Sequence, residues 1–144
     1  MASIHPQRLM MERFTYALRE QGFLDRTFDN LTNLHQNENP LAIFCGHAEP
    51  NLTQILPYLQ PSTLNFGRVL NVIEQVKGNA ISVGGRRVAI ACAALQERCR
   101  AYDCEGANDA YRKVLWEYYI LRDCFHHILQ LFLHFLQPWR FLPC

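Results

Sequence analysis

Residues Glu74–Gly85 read EQVKGNAISVGG. This run lies inside a helical pattern, and the rest of the chain is arranged to present it. Glu74, Lys77 and Gly78 stand at i, i+3 and i+4 and share one helix face. Val69, Val72, Ile73 and Val76 form an apolar stripe on the opposite face. A glycine inside a helix costs about 1 kcal/mol relative to alanine, and a common reason for keeping one is that another surface must approach the backbone closely. An acid, a lysine and a bare patch of backbone together describe a docking face.

The same helical period extends along the chain in both directions. Leu9, Met10, Phe14, Ala17 and Leu18 mark a first helix from about residue 7 to 21, with Gly22 as its C-cap. Asp25 caps a second, which buries Phe28, Leu31 and Leu34. Pro40 suits the first turn of a third element. Pro50 and Pro57 interrupt that element, and an interior proline costs roughly 3 kcal/mol. The expectation there is two short helical pieces, with Pro50 near the start of the second. Pro61 and Ser62 mark a turn. A fourth helix runs from about Asn65 to Ser82 and is broken by Gly84–Gly85. A fifth runs from Arg86 to about Ala101, burying Val88, Ala91, Cys92, Leu95 and Cys99. Asp103–Gly106 reads as a turn. A long sixth helix starts near Asn108 and runs to about Leu136. Its core side is Val114, Leu115, Tyr118, Leu121, Phe125, Ile128, Leu129 and Phe132. No stretch alternates with period two. The expected fold is all-α: one domain over residues 1–144, an antiparallel four-helix bundle over about 41–136, additional short helices over about 7–35, and an apolar tail over 137–144.

Composition narrows the function. The chain has 144 residues, with 14 Lys+Arg against 13 Asp+Glu, so it lacks the clustered basic character of a nucleic-acid binder. Six cysteines form no CxxC pair and no zinc spacing, and no metal or cofactor is expected. The N-terminus has no apolar signal region, and the tail is too short and broken to span a bilayer. No phosphate loop, G-x-S-x-G or H-E-x-x-H motif is present, so the chain reads as a non-enzyme. Gly84-Gly85-Arg86-Arg87 reads as a helix–helix turn. Cys124, His126 and His127 cannot converge on one metal, because adjacent helical positions point about 100° apart.

The run 74–85 resembles the signature H-Q-x-K-G-S-S-x-S-I-G-A of the plant histidine-containing phosphotransfer proteins, the His-to-Asp relay carriers of cytokinin two-component signalling. The resemblance continues through Arg87-Val88, Cys92, Cys99, Glu105-Gly106 and Glu117-Tyr118-Tyr119. It also covers Leu18-Arg19-Glu20-Gln21-Gly22, Leu24-Asp25, Phe28, Leu31, Leu34 and Asn39-Pro40. It departs from the family in three places: Leu41–Gln60, the tail, and Glu74, which stands where the family has its phosphorylated histidine.

The resemblance implies partners and a location: receiver domains of hybrid histidine kinases and response regulators, in cytoplasm and nucleus, met by a monomer. Glu74, Gln75, Lys77, Gly78 and Ser82 would form the receiver-docking surface. A carboxylate has no ring nitrogen to attack an aspartyl phosphate, and its charge repels the incoming phosphoryl group. The expected protein is therefore a pseudo-phosphotransfer protein that occupies receivers without carrying phosphate and dampens the relay. A Glu74–Lys77 pair along the helix is expected, worth about 0.2–0.5 kcal/mol. Two alternatives remain open: an active carrier using His47 or His126, and a degenerate family member with only a weak binding role.

Overall fold

The computed structural model describes residues 13, 16, 17, 20–22 and 40–136. Four helices follow one another along the continuous part: α1 (Pro40–Ile55), α2 (Phe66–Ser82), α3 (Arg86–Arg100) and α4 (Cys104–Leu136), with a 3-10 turn at Leu56–Leu59 after α1. The helix expected from Asp25 and the tail 137–144 lie outside the described residues, as do the side chains of Leu129 and Phe132. In the N-terminal stretch Gly22 adopts φ 81° and the Gln21 amide donates to the Ala17 carbonyl at 3.0 Å, in keeping with a helix that ends at Gly22.

Each helix packs on the next, and α4 returns to α1, which closes a four-helix bundle. Side-chain pairs fix the directions. Arg87 meets Glu117 and Arg98 meets Asp103, so α3 and α4 run antiparallel. The Tyr111 hydroxyl donates to the Leu52 carbonyl at 2.7 Å and the Tyr118 hydroxyl to the Cys45 carbonyl at 3.4 Å, so α4 also runs antiparallel to α1. Leu52 lies in the last turn of α1, where carbonyls lack an intrahelical partner, and Tyr111 satisfies one of them. Among the described residues the core is a single cluster in which Phe44, Tyr118 and Phe125 pack ring against ring at about 6 Å.

The stripes read from the sequence are buried as expected at Val69, Ile73 and Val76 on α2 and at Val88, Ala91, Cys92, Leu95 and Cys99 on α3. The same holds on α4 for Val114, Tyr118, Leu121, Phe125 and Ile128. Val72 and Leu115 are only partly buried, at the margins of their stripes.

Two expectations fail. Pro50 does not split the third element, because α1 runs unbroken through it. Phe44, Ala48, Leu52 and Ile55 recur on one face and are all buried, and a continuous apolar face outweighs the single bond that proline removes. Gly46, whose carbonyl loses that bond, is exposed along with Pro50, so water can replace the lost donor.

The second failure is at the start of the last helix. The sequence reads Asp103–Gly106 as a turn and places the helix start near Asn108, but α4 begins at Cys104. Asp103 is its N-cap: Oδ1 accepts from the Gly106 amide at 2.8 Å. A Cβ on Gly106 would collide with that carboxylate, so this glycine lets the cap close rather than breaking the helix. The turn sits one step earlier, at Ala101–Tyr102. There Tyr102 takes φ 55° and its ring meets Phe66 edge-on at 6.0 Å.

The α2–α3 junction is tight. The Gly85 amide donates to the Ala80 carbonyl at 2.8 Å and the Gly84 amide to Ile81 at 3.1 Å, with Gly84 at φ 77°. This is the Schellman arrangement that ends a helix at a left-handed glycine. A Cβ on Gly85 would lie 2.8 Å from Leu121 Cδ2, so the second glycine brings the junction against α4.

Candidate functional site

The apolar stripe of α2 faces the core, so the opposite side faces solvent. Glu74, Gln75, Gly78, Asn79, Ile81 and Ser82 are exposed there. Glu74, Gly78 and Ser82 follow each other at intervals of four and line up along the helix. The five residues singled out from the sequence thus lie on one helix, though not in one network. The Ser82 hydroxyl donates to the Asn79 carbonyl at 2.7 Å, within its own last turn. Gln75 is exposed beside the line.

Glu74 and Lys77 do meet: Lys77 Nζ lies 3.6 Å from Glu74 Oε2. A third residue joins them. Gln96, on α3, is only 2% exposed. Its Nε2 donates to Glu74 Oε2, and its Oε1 accepts from Lys77 Nζ at 2.8 Å. A buried amide must have its donor and acceptor satisfied, and here the acid and the lysine of the neighbouring helix satisfy both. The three side chains form a closed ring across the α2–α3 groove. The acid remains the outermost member, with Glu74 63% exposed against 25% for Lys77. Close to this ring lies Cys92, fully buried. Burial pushes its thiol up to about 12, with Lys77 lowering and Glu74 raising it. At neutral pH it stays protonated and offers no nucleophile.

Gly78 is the other feature of the face. A Cβ built there meets nothing within 4 Å among the described residues. The contrast with Gly85 and Gly106 is direct, because packing among the described residues demands those two and does not demand Gly78.

Sequence reasoning missed Gln96. Its signal was present: it stands four residues after Cys92 on the buried side of an Ala-rich helix, a polar residue where the pattern calls for an apolar one. Ile81, 52% exposed beside Gly78's end of α2, was also missed. His47 on α1 and His126 on α4 are exposed, and neither makes a hydrogen bond or ion pair with Glu74, Lys77 or Gly78.

The site is therefore an acid–amide–lysine ring beside an open stretch of helix backbone, on the flank of a four-helix bundle. No family model matches the chain. Its relatives are plant histidine-containing phosphotransfer proteins. It is 29% identical to histidine-containing phosphotransfer protein 2 of Arabidopsis thaliana over 139 residues, covering 90% of this chain and 88% of the relative. It is 26% identical to pseudo histidine-containing phosphotransfer protein 2 of Oryza sativa over 120 residues, covering 79% and 80%. The crystal structure of a rice histidine-containing phosphotransfer protein superimposes with a TM-score of 0.83 at 25% identity, covering 92% of this chain and 99% of that one. The helical-bundle fold is thus the one found in these phosphotransfer proteins. Among the described residues no helix is long and apolar enough to cross a membrane.

Proposed function

We propose that this chain is a non-phosphorylatable pseudo-phosphotransfer protein, a single domain over residues 1–144. It docks on the receiver domains of hybrid histidine kinases and response regulators through Glu74, Gln75, Lys77, Gly78 and Ser82, and dampens a cytokinin-type His-to-Asp relay by occupying them. It acts as a monomer in cytoplasm and nucleus and performs no catalysis of its own. The observation that carries this reading is the Glu74 carboxylate, exposed and tied to Lys77 and Gln96 at the position where the resemblance puts the phosphorylated imidazole. Relatives that include a pseudo-phosphotransfer protein support it.

The bare backbone at Gly78 gives the test. Nothing among the described residues occupies the space of its Cβ, so Gly78→Ala is expected to stabilise the fold by about 0.5–1 kcal/mol in denaturant unfolding. Gly78→Trp is expected to fold as well as the wild type. In a pull-down with a purified receiver domain, the wild type binds and Gly78→Trp binds at least about tenfold more weakly, a loss of about 1.4 kcal/mol. Lys77→Ala, which opens the ring, also weakens binding. Equal binding by wild type and Gly78→Trp removes α2 from the interface. No binding by the wild type rejects the docking role altogether.

A further inference from the structure

We infer that the face around Glu74 discriminates between the two states of its receiver partner, holding the unphosphorylated receiver and rejecting the one that carries an aspartyl phosphate. The inference rests on the receiver-docking reading and adds to it a preference that docking alone does not require.

An approaching surface meets the acid first. Glu74 is 63% exposed and Lys77 25%, so the carboxylate is outermost. Both contacts that Glu74 makes in the ring fall on Oε2, and Oε1 takes part in neither. Lys77 is the group that could offset an incoming phosphoryl group, but its ammonium is already shared between Gln96 Oε1 at 2.8 Å and Glu74 Oε2 at 3.6 Å. Gln96 is 2% exposed and turns both ends of its amide into the ring, so it presents no donor to an incoming surface.

A surface that presses against the bare backbone at Gly78 comes within one helical turn of Glu74. Water is excluded as the two surfaces close, which strengthens the interaction between the charges left facing each other. An unphosphorylated receiver brings no phosphoryl charge to this point. A phosphorylated one brings two negative charges against a carboxylate whose counter-ion is already engaged. Like charges set opposite each other across an interface are a device for rejecting a partner. The consequence for the relay is specific: the chain would sequester receivers awaiting phosphate and release those that have received it.

The test is equilibrium binding of the full chain to one receiver domain, measured with and without beryllofluoride, which forms a stable mimic of the aspartyl phosphate. Wild type and Glu74→Gln are compared. The neutral amide keeps the size of the side chain and removes its charge. The ratio of the two affinities, untreated over beryllofluoride-treated, is expected to be at least about tenfold larger for the wild type than for Glu74→Gln, equivalent to about 1.4 kcal/mol. A ratio that is the same in both proteins, or a wild type that favours the treated receiver, overturns the inference while leaving docking intact. Failure of the wild type to bind either form has a different signature: it rejects the docking reading and the inference with it.

Discussion

Glu74→His is expected to turn a chain that takes up no phosphate from a phosphorylated receiver into one that takes up a readily detectable amount. The substitution supplies the ring nitrogen that attack on an aspartyl phosphate requires. It also frees the lysine. Lys77 Nζ loses its carboxylate partner at 3.6 Å and keeps the Gln96 oxygen at 2.8 Å, so the ammonium stays in place with its charge available to phosphoryl oxygens. Positioning and charge stabilisation are most of what such a transfer needs. The open backbone at Gly78 is already present. The cost to the fold should stay within about 1–3 kcal/mol, the penalty of taking the Glu74 acceptor from the buried Gln96 Nε2. Glu74→Gln serves as the control and should remain unlabelled. A histidine variant that binds the receiver and still takes no label would show that the face lacks more than an imidazole. Label on the glutamine variant would place the acceptor elsewhere, with His47 and His126 the first positions to replace.

The largest expected change in stability comes from Arg87→Met. Glu117 is 2% exposed, and its Oε1 is held by Arg87 Nη2 at 2.9 Å and by Lys113 Nζ at 3.1 Å. Its Oε2 has no hydrogen-bond partner among the described residues. Methionine fills much of the volume of the arginine stem but leaves a buried carboxylate with Lys113 alone. Breaking a buried pair by removing one partner costs about 3–5 kcal/mol, and the remaining lysine puts this case near the lower end, at about 3 kcal/mol. Each kcal/mol lowers the melting temperature of a domain of this size by about 2–4 °C, so a fall of roughly 6–12 °C is expected in a thermal scan. Arg112→Met is the comparison. Arg112 pairs with Asp109 at the same 2.9 Å, but both side chains are largely exposed, and the loss should be below about 1 kcal/mol. If the two variants melt together, burial is not what gives the Glu117 cluster its weight.

The stretch 74–85 made the fold readable because three independent signals agree in it: an apolar stripe at helical spacing, a polar face opposite, and a pair of glycines suited to a left-handed helix end. The same consistency made α3 and the central part of α4 legible. Where the reading failed, a local rule was outvoted by packing. Pro50 looked like a break because the cost of one missing amide is local and visible, whereas the benefit of burying Phe44, Ala48, Leu52 and Ile55 together depends on α2 and α4 being there. Gly106 looked like a turn because nothing in a single sequence says that a carboxylate three residues earlier needs the space of its side chain.

The site was half legible. Glu74, Lys77 and Gly78 share a face by helical arithmetic alone, and the Glu74–Lys77 pair forms as that spacing implies. Gln96 is 22 residues away from Glu74 in sequence, and only the packing of α3 against α2 brings it into contact. Glu117 posed the same difficulty. It stands in a Glu-Tyr-Tyr run, but its burial between two cations depends on how α3 begins, at the junction that Gly84 and Gly85 close.

Under the proposed role the chain meets receivers without ever carrying their phosphate, and that can be measured directly. The full wild-type chain is incubated with a receiver domain bearing a radiolabelled aspartyl phosphate, and the label is followed over time, after separate proof that the unlabelled receiver binds. The label is expected to stay on the receiver or be lost to water, with none accumulating on this chain. Label that moves onto the chain and survives there as an acid-labile, base-stable phosphoramidate would contradict the decoy role.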